Sequence, residues 1–311
     1  MALIVGFVVA VLATPVAAWI ATRLGIVDEP GPLKVHSRSV PYLGGVAVLI
    51  ALAGPVLRDR PSLLVPLGLA CALGLVDDAA GLAPALRLVA ETAIGVSAAV
   101  AVGQHNVGRV ALGIIAVLVL VNAMNLLDGL DGLAAGVTIA SAVGFSVVLG
   151  GAGATTALAL AGAAAGFLVW NSPPARVYLG DSGSYLIGTA LAMLFLTAAR
   201  HPAEVASGAC LFLAVPVADT AVAIVRRFRA RRPLLQGDRG HVYDQLVDRG
   251  WQAQAAVVAC VGAQAVLTGG GIAIAQLHRN AAIIVTVVTV AVIGVAAILA
   301  FTAPRTWAPE P

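Results

Sequence analysis

The sequence predicts an all-α, polytopic transmembrane bundle of about eleven spans. Three observations carry this. Hydrophobic residues make up 60% of the 311-residue chain and charged residues only 11%, whereas soluble domains carry about 25% charged residues. The mean hydropathy is +0.99. The apolar residues also fall in long runs between short connections, and a bilayer core needs about 20 apolar residues per helix. No long polar segment is left over, so residues 1–311 read as a single integral-membrane domain.

Eleven windows follow one another along the chain: 2–22, 43–57, 62–77, 86–103, 108–122, 133–150, 154–170, 184–199, 205–225, 253–276 and 281–302. Windows 43–57 and 62–77 are short, and a count of ten stays open. Val16-Ala17-Ala18 resembles a signal-peptide cleavage site. No basic residue precedes that first run, however, and it is long enough to span, so it is expected to be a helix.

Charge sets the orientation. Odd-numbered connections and the tail hold thirteen Lys and Arg residues; the opposite face holds five, Arg58, Arg60, Arg109, Arg200 and Arg279. Basic connections stay in the cytoplasm, so the N-terminus is expected outside and the C-terminus inside. The same division sorts the acids. Asp28, Glu29, Asp77, Asp78, Asp128, Asp131, Asp181, Asp238, Asp244 and Asp248 fall on the cytoplasmic side, with Asp59 and Glu204 outside. The positive-inside rule does not constrain acids, so an active cytoplasmic face explains them better than solubility does. The net charge of +3 follows topology and gives no sign of a nucleic-acid partner. Cys71, Cys210 and Cys260 stand alone in apolar runs and read as small buried hydrophobes.

The densest polar segment is Asn122-Ala123-Met124-Asn125-Leu126-Leu127-Asp128-Gly129-Leu130-Asp131-Gly132. Polar groups at membrane depth are costly and are kept for function. Spacings of three put Asn122, Asn125 and Asp128 on neighbouring positions of one helical face. Asp77 and Asp78 end the third window, where adjacent carboxylates want a cation, a proton or a phosphate-bound metal; a solvated helix end is the plainer reading. Tyr178-Leu179-Gly180-Asp181-Ser182-Gly183-Ser184 opens the eighth window. It suits a backbone nest for phosphate with Asp181 left for metal, and an ordinary cap and turn is the physically compatible alternative. Lys34 and His36 lie in the first cytoplasmic loop as phosphate contacts or as a solvated pair. Arg226, Arg227, Arg229, Arg231 and Arg232 form a basic cluster ahead of His241, which suits anionic lipid.

Taken together and in order, KVHSRSVPYLGG, GLVDDAAGL, NAMNLLDGLDGL, VYLGDSGS and PVADTAVAIVRR resemble the polyprenyl-phosphate N-acetylhexosamine-1-phosphate transferase family. The resemblance implies transfer of a sugar-1-phosphate, N-acetylglucosamine-1-phosphate by default, from a UDP-sugar to a membrane polyprenyl phosphate. UMP is released, and the product is the first lipid-linked intermediate of a cell-envelope polysaccharide. It implies a bacterial plasma-membrane enzyme that uses Mg²⁺, with Mn²⁺ able to substitute. Asp77, Asp78, Asp128 and Asp131 would be catalytic, the first two beside the lipid phosphate and the others lining the nucleotide and metal pocket. Asn125 and Asp181 would bind the metal. Lys34, His36, Arg87, Asn122, Gly180, Ser182, Ser184, Arg227 and His241 would contact substrate. The oligomeric state is left open, with a homodimer as one option.

Two departures matter. Many relatives carry His-x-His-His where this chain has His241-Val242-Tyr243-Asp244, which leaves another N-acetylhexosamine, such as a deoxy sugar, as an alternative. The His-rich signature of the muramoyl-pentapeptide enzymes is missing, which argues against that substrate. Arg87-Leu88 stands where Lys-Leu is frequent, keeping the charge but offering a planar fork. A transporter of lipid-linked sugars is the rival from another class. Its carboxylates should lie near the midplane in broken helices, not at span ends.

Overall fold

The computed structural model describes residues 1–29, 39–233 and 240–302. Lys34 and His36 lie outside the described residues. Every window coincides with helix. In chain order these are α1 (Ala2–Leu24), α2 (Gly44–Asp59), a 3-10 turn (Pro61–Leu63) leading into α3 (Leu64–Ala80), α4 (Pro84–Ala101), α5 (Val107–Leu127), α6 (Leu133–Val148), α7 (Gly151–Asn171), α8 (Gly180–Ala198), α9 (Ala203–Leu211), α10 (Ala214–Arg229), α11 (Val242–Asp248), α12 (Ala253–Ile274) and α13 (Arg279–Phe301). Helix is the local solution because apolar surroundings offer the backbone no partner but itself. Among the described residues, seven helical segments are long and apolar enough to cross a membrane, or eight if α9 and α10 form one bent span.

Two features escape the apolar pattern. Val27–Asp28 (β1) pairs antiparallel with Val40–Pro41 (β2), a two-residue ladder that closes the first long connection. The expected span at 205–225 is not one straight helix: α9 and α10 meet at 62°. Gln264 of α12 explains how the break survives in an apolar setting. Its Nε2 donates to Leu211 O at 3.0 Å, and its Oε1 accepts from Val215 N at 3.0 Å. One fully buried amide thereby satisfies backbone groups on both sides of the bend.

α8 lies at the centre, packed against α3 and α5, with α2, α4, α6 and α7 around it. The tightest pairing, α1 on α7, shows how little side chain the bundle needs there. Gly162 and Gly166 sit where any Cβ would overlap the backbone carbonyls of Leu3 and Phe7. Small residues four apart let helices in lipid approach to backbone contact. One turn further on, Trp170 Nε1 donates to Val11 O at 3.0 Å. That carbonyl needs an outside donor because Pro15, four residues on in α1, has no N–H to give it.

This pairing gives a stability test. Gly166→Val should destabilise the bundle by about 1–3 kcal/mol through overpacking against backbone. Trp170→Phe should cost about 1–3 kcal/mol by orphaning the Val11 carbonyl. Unfolding midpoints in detergent measure both, and wild-type midpoints would contradict this account of the α1–α7 pairing.

Candidate active site

Four separate stretches of chain bring their polar residues to one end of the bundle. The loop before α2 is laced to the loop before α8: Tyr178 N donates to Pro41 O, Gly44 N to Tyr178 O and Gly45 N to Leu179 O, at 2.8–3.1 Å. Gly180 turns the chain into α8 with φ +72°, and a Cβ there would lie 2.7 Å from Tyr42 O and 2.9 Å from Asp78 Oδ2. Only glycine meets both demands.

α8 then offers its first N–H groups to a carboxylate from α3. Asp181 N donates to Asp78 Oδ1 at 3.1 Å and Ser182 N to Asp78 Oδ2 at 3.3 Å. The backbone nest that the sequence offers to phosphate is therefore held by Asp78, a choice the positive end of the helix favours. Asp77 is anchored just as firmly. Leu82 N donates to its Oδ1 at 2.7 Å, Tyr185 Oη to its Oδ2 at 2.5 Å, and Arg87 Nη1 lies 3.4 Å from the same oxygen. Neither Asp is a loosely solvated helix end.

α5 supplies the next wall. Asn125 Nδ2 donates to Asp181 Oδ1 at 2.5 Å and to Ser184 Oγ at 3.3 Å. Asp181, expected to stand free, is thus held by Asn125. Asn122, one turn earlier, faces elsewhere. Its Nδ2 donates to Glu91 Oε2 at 2.7 Å and to Leu118 O at 2.9 Å. Glu91 of α4 is fully buried one turn from Arg87, and its Oε1 has no partner. The sequence reading passed over it. A lone acid inside an apolar run was the available signal.

Asp128 caps the C-terminus of α5. Burial pushes its carboxyl well above the usual carboxylate range, and the charges of Asp181, Asp78 and Asp131 add to the effect. Asp131 accepts from Ala175 N at 2.8 Å, and Asn171 joins Gly132 N to Val177 O. Both tie the Asp128–Gly132 turn to the loop that leads into α8. Tyr178 in that loop has its hydroxyl pushed up to about 12 by burial, then by Asp131, Asp28 and Asp128. Ser182 Oγ is buried in the cluster without a partner. Arg227 lies on α10 and His241 caps the start of α11. Both are buried, and His241 pairs with Asp219 of α10 at 2.7 Å.

Acids that crowd at one end of a bundle and raise each other's protonation form a site that seeks positive charge. The profile of "Glycosyl transferase family 4" matches residues 61–199, the stretch that holds Asp77, Asp78, Asn125, Asp128, Asp131 and Asp181. Decaprenyl-phosphate N-acetylglucosaminephosphotransferase of Mycolicibacterium smegmatis is 32% identical, over 82% of this chain and 77% of that protein. The chain belongs to glycosyl transferase family 4. Other members of the family extend the comparison. Undecaprenyl-phosphate alpha-N-acetylglucosaminyl 1-phosphate transferase of Thermotoga maritima is 33% identical over 74% of this chain and 76% of its own. Phospho-N-acetylmuramoyl-pentapeptide-transferase of Moorella thermoacetica is 37% identical over 54% and 64%.

The raised Asp128 carboxyl has a measurable consequence. A folded-state pKa above the unfolded value gives stability that is present at low pH and lost as pH rises through the folded value. In EDTA the unfolding midpoint should therefore fall as pH climbs above the ordinary carboxylate range. Asp128→Asn should flatten that fall, and an unchanged slope in the variant would contradict the assignment.

Proposed function

We propose that the protein transfers N-acetylglucosamine-1-phosphate from UDP-N-acetylglucosamine to a membrane polyprenyl phosphate, releasing UMP. One observation carries the reading: Asp78 of α3, the Asn125 amide of α5 and Asp181 at the start of α8 are bonded to one another at one end of the bundle, in a chain whose relatives are named for this transfer. The site is assigned to the cytoplasmic face of the bacterial plasma membrane, with eleven spans, the N-terminus outside and the C-terminus inside. The uneven Lys and Arg distribution supports that orientation.

The residues fit Mg²⁺. Asn125, Asp128 and Asp181 offer hard oxygen donors, and the crowding that raises Asp128 is the environment a divalent cation relieves. Among the described residues no three acids converge as a ready-made cage. Mg²⁺ does not ask for one, since it commonly takes one or two carboxylates and completes its shell with water and substrate phosphate. Bound there, the ion supplies charge neutralisation for the diphosphate and the departing UMP. Mn²⁺ fits the same donors.

The lipid phosphate oxygen forms the new bond to the sugar-bearing phosphorus, and the bond from that phosphorus to the UMP oxygen breaks. At neutral pH a phosphate monoester is already mostly dianionic, with its second pKa at about 6, so it needs placement more than a strong base. The bonding of Asp77 and Asp78 suits that need. Asp77 holds Arg87 beside the cluster, where the guanidinium can meet a phosphate. Asp78 fixes the start of α8, which sets Asp181 and the Ser182 hydroxyl. Both acids have their oxygens engaged, which favours direct in-line transfer over a covalent Asp intermediate.

Purified protein given UDP-N-acetylglucosamine, polyprenyl phosphate and Mg²⁺ should release UMP and form polyprenyl-diphospho-N-acetylglucosamine, identified by mass. Asp181→Asn should abolish this while still inserting and purifying normally, and wild-type turnover by that variant would remove Asp181 from the metal site. Without the lipid acceptor no UMP should appear. Its appearance would support the covalent route instead.

A further inference from the structure

We propose that Asp219 is a positioning residue that sets the His241 imidazole for contact with the anionic sugar-nucleotide. The inference rests on the transferase reading above. Asp219 lies in α10, within the PVADTAVAIVRR segment but with no role assigned to it so far, and is 2% exposed against 3% for His241. Its Oδ2 lies 2.7 Å from His241 Nδ1, and its Oδ1 accepts from Val242 N at 2.6 Å. Both oxygens of one buried carboxylate thus serve two consecutive residues.

In the proposed assignment Asp219 is the acceptor in this bond, with the proton on Nδ1. That leaves Nε2 as the ring nitrogen Asp219 does not engage. The backbone around the ring has other support. Asp244 accepts from the N–H groups of Gly240 and His241, and Gln245 Nε2 donates to Gly240 O at 2.9 Å and to Phe301 O at 2.9 Å. The ring also accepts from the backbone of Asp244 in a capping box, and the choice of tautomer is given by the proposal to Asp219. The carboxylate also supplies a counter-charge when Nε2 is protonated against a phosphate oxygen.

The neighbour of the ring connects it to the site. His241 stacks on Tyr243 with centroids 5.6 Å apart and 12° between planes. Tyr243 Oη donates to Leu126 O at 2.8 Å, and its hydroxyl fills the place a Cβ on Gly129 would take. The pair therefore sits against the Asp128–Gly129 turn.

The test compares Asp219→Asn, His241→Asn and the double variant in the full chain, with UDP-N-acetylglucosamine, polyprenyl phosphate and Mg²⁺. His241→Asn keeps a donor for Asp219 but removes Nε2, so its unfolding midpoint should stay near wild type. Each single change should lower kcat on the order of 10- to 100-fold, and the double should be no worse than the poorer single. Nitrogen-15 spectra of labelled histidine should show His241 as the Nδ1–H form in wild type and lose that form in Asp219→Asn. Additive losses, or wild-type turnover by a folded Asp219→Asn, would overturn the proposal. If Asp219→Asn does not fold, wild-type turnover by His241→Asn overturns it. A wild type that releases no UMP would defeat the transferase reading itself, whereas active wild type with active Asp219→Asn defeats only the role given to Asp219.

Discussion

The contact on which the site depends is the grip of Asp78 on the first N–H groups of α8. A helix N-terminus carries unsatisfied donors and a partial positive charge. Here an acid from α3 meets both. The grip fixes the direction of α8, the helix around which most of the bundle packs. It also sets where Asp181 and Ser182 emerge. Asn125 can then reach Asp181 only because α5 runs along the same face of α8.

Backbone proximity makes the grip geometrically feasible. Gly74 on α3 faces the Asp181 carbonyl so closely that a Cβ would overlap it, and Gly45 of α2 stands in the same relation to Gly183. With no side chains between them, the three helix ends meet as backbone on backbone. Short polar side chains then span what gaps remain. A larger residue at either glycine would separate the carboxylates from α8, whatever happened to the chemistry.

Much of this was visible in the sequence. Apolar windows foretold the helices because burial in lipid leaves few alternatives. The Asp77-Asp78, Asn125, Asp128 and Asp181 signals were strong because charge at membrane depth is rarely idle. Which groups pair was not legible. The sequence offered the start of α8 to phosphate and left Asp181 free, yet the structure gives those N–H groups to Asp78 and Asp181 to Asn125. Glu91 and Gln264 stayed hidden as single polar residues within apolar runs, each defined by a partner on another helix, while Asp219 stood in PVADTAVAIVRR without its partner being legible. The break between α9 and α10 was hidden for the same reason, since its support comes from Gln264, 49 residues beyond Val215.

Order of synthesis gives the Asp78 contact a further meaning. Asp78 and Ser182 are 104 residues apart in the chain. At a ribosomal rate of about 5–20 residues per second, domains form as the chain emerges, so Asp78 waits several seconds for the backbone that will hold it. During that interval α1 to α5 can insert and Asp77 can take Leu82 N and Arg87, but Asp78 has only water in place of its α8 donors. That requirement pins the end of α3 at the membrane surface before α8 exists. The arriving helix then docks onto a carboxylate already waiting at the correct depth, so Asp78 is a landmark for assembly before it takes any part in chemistry.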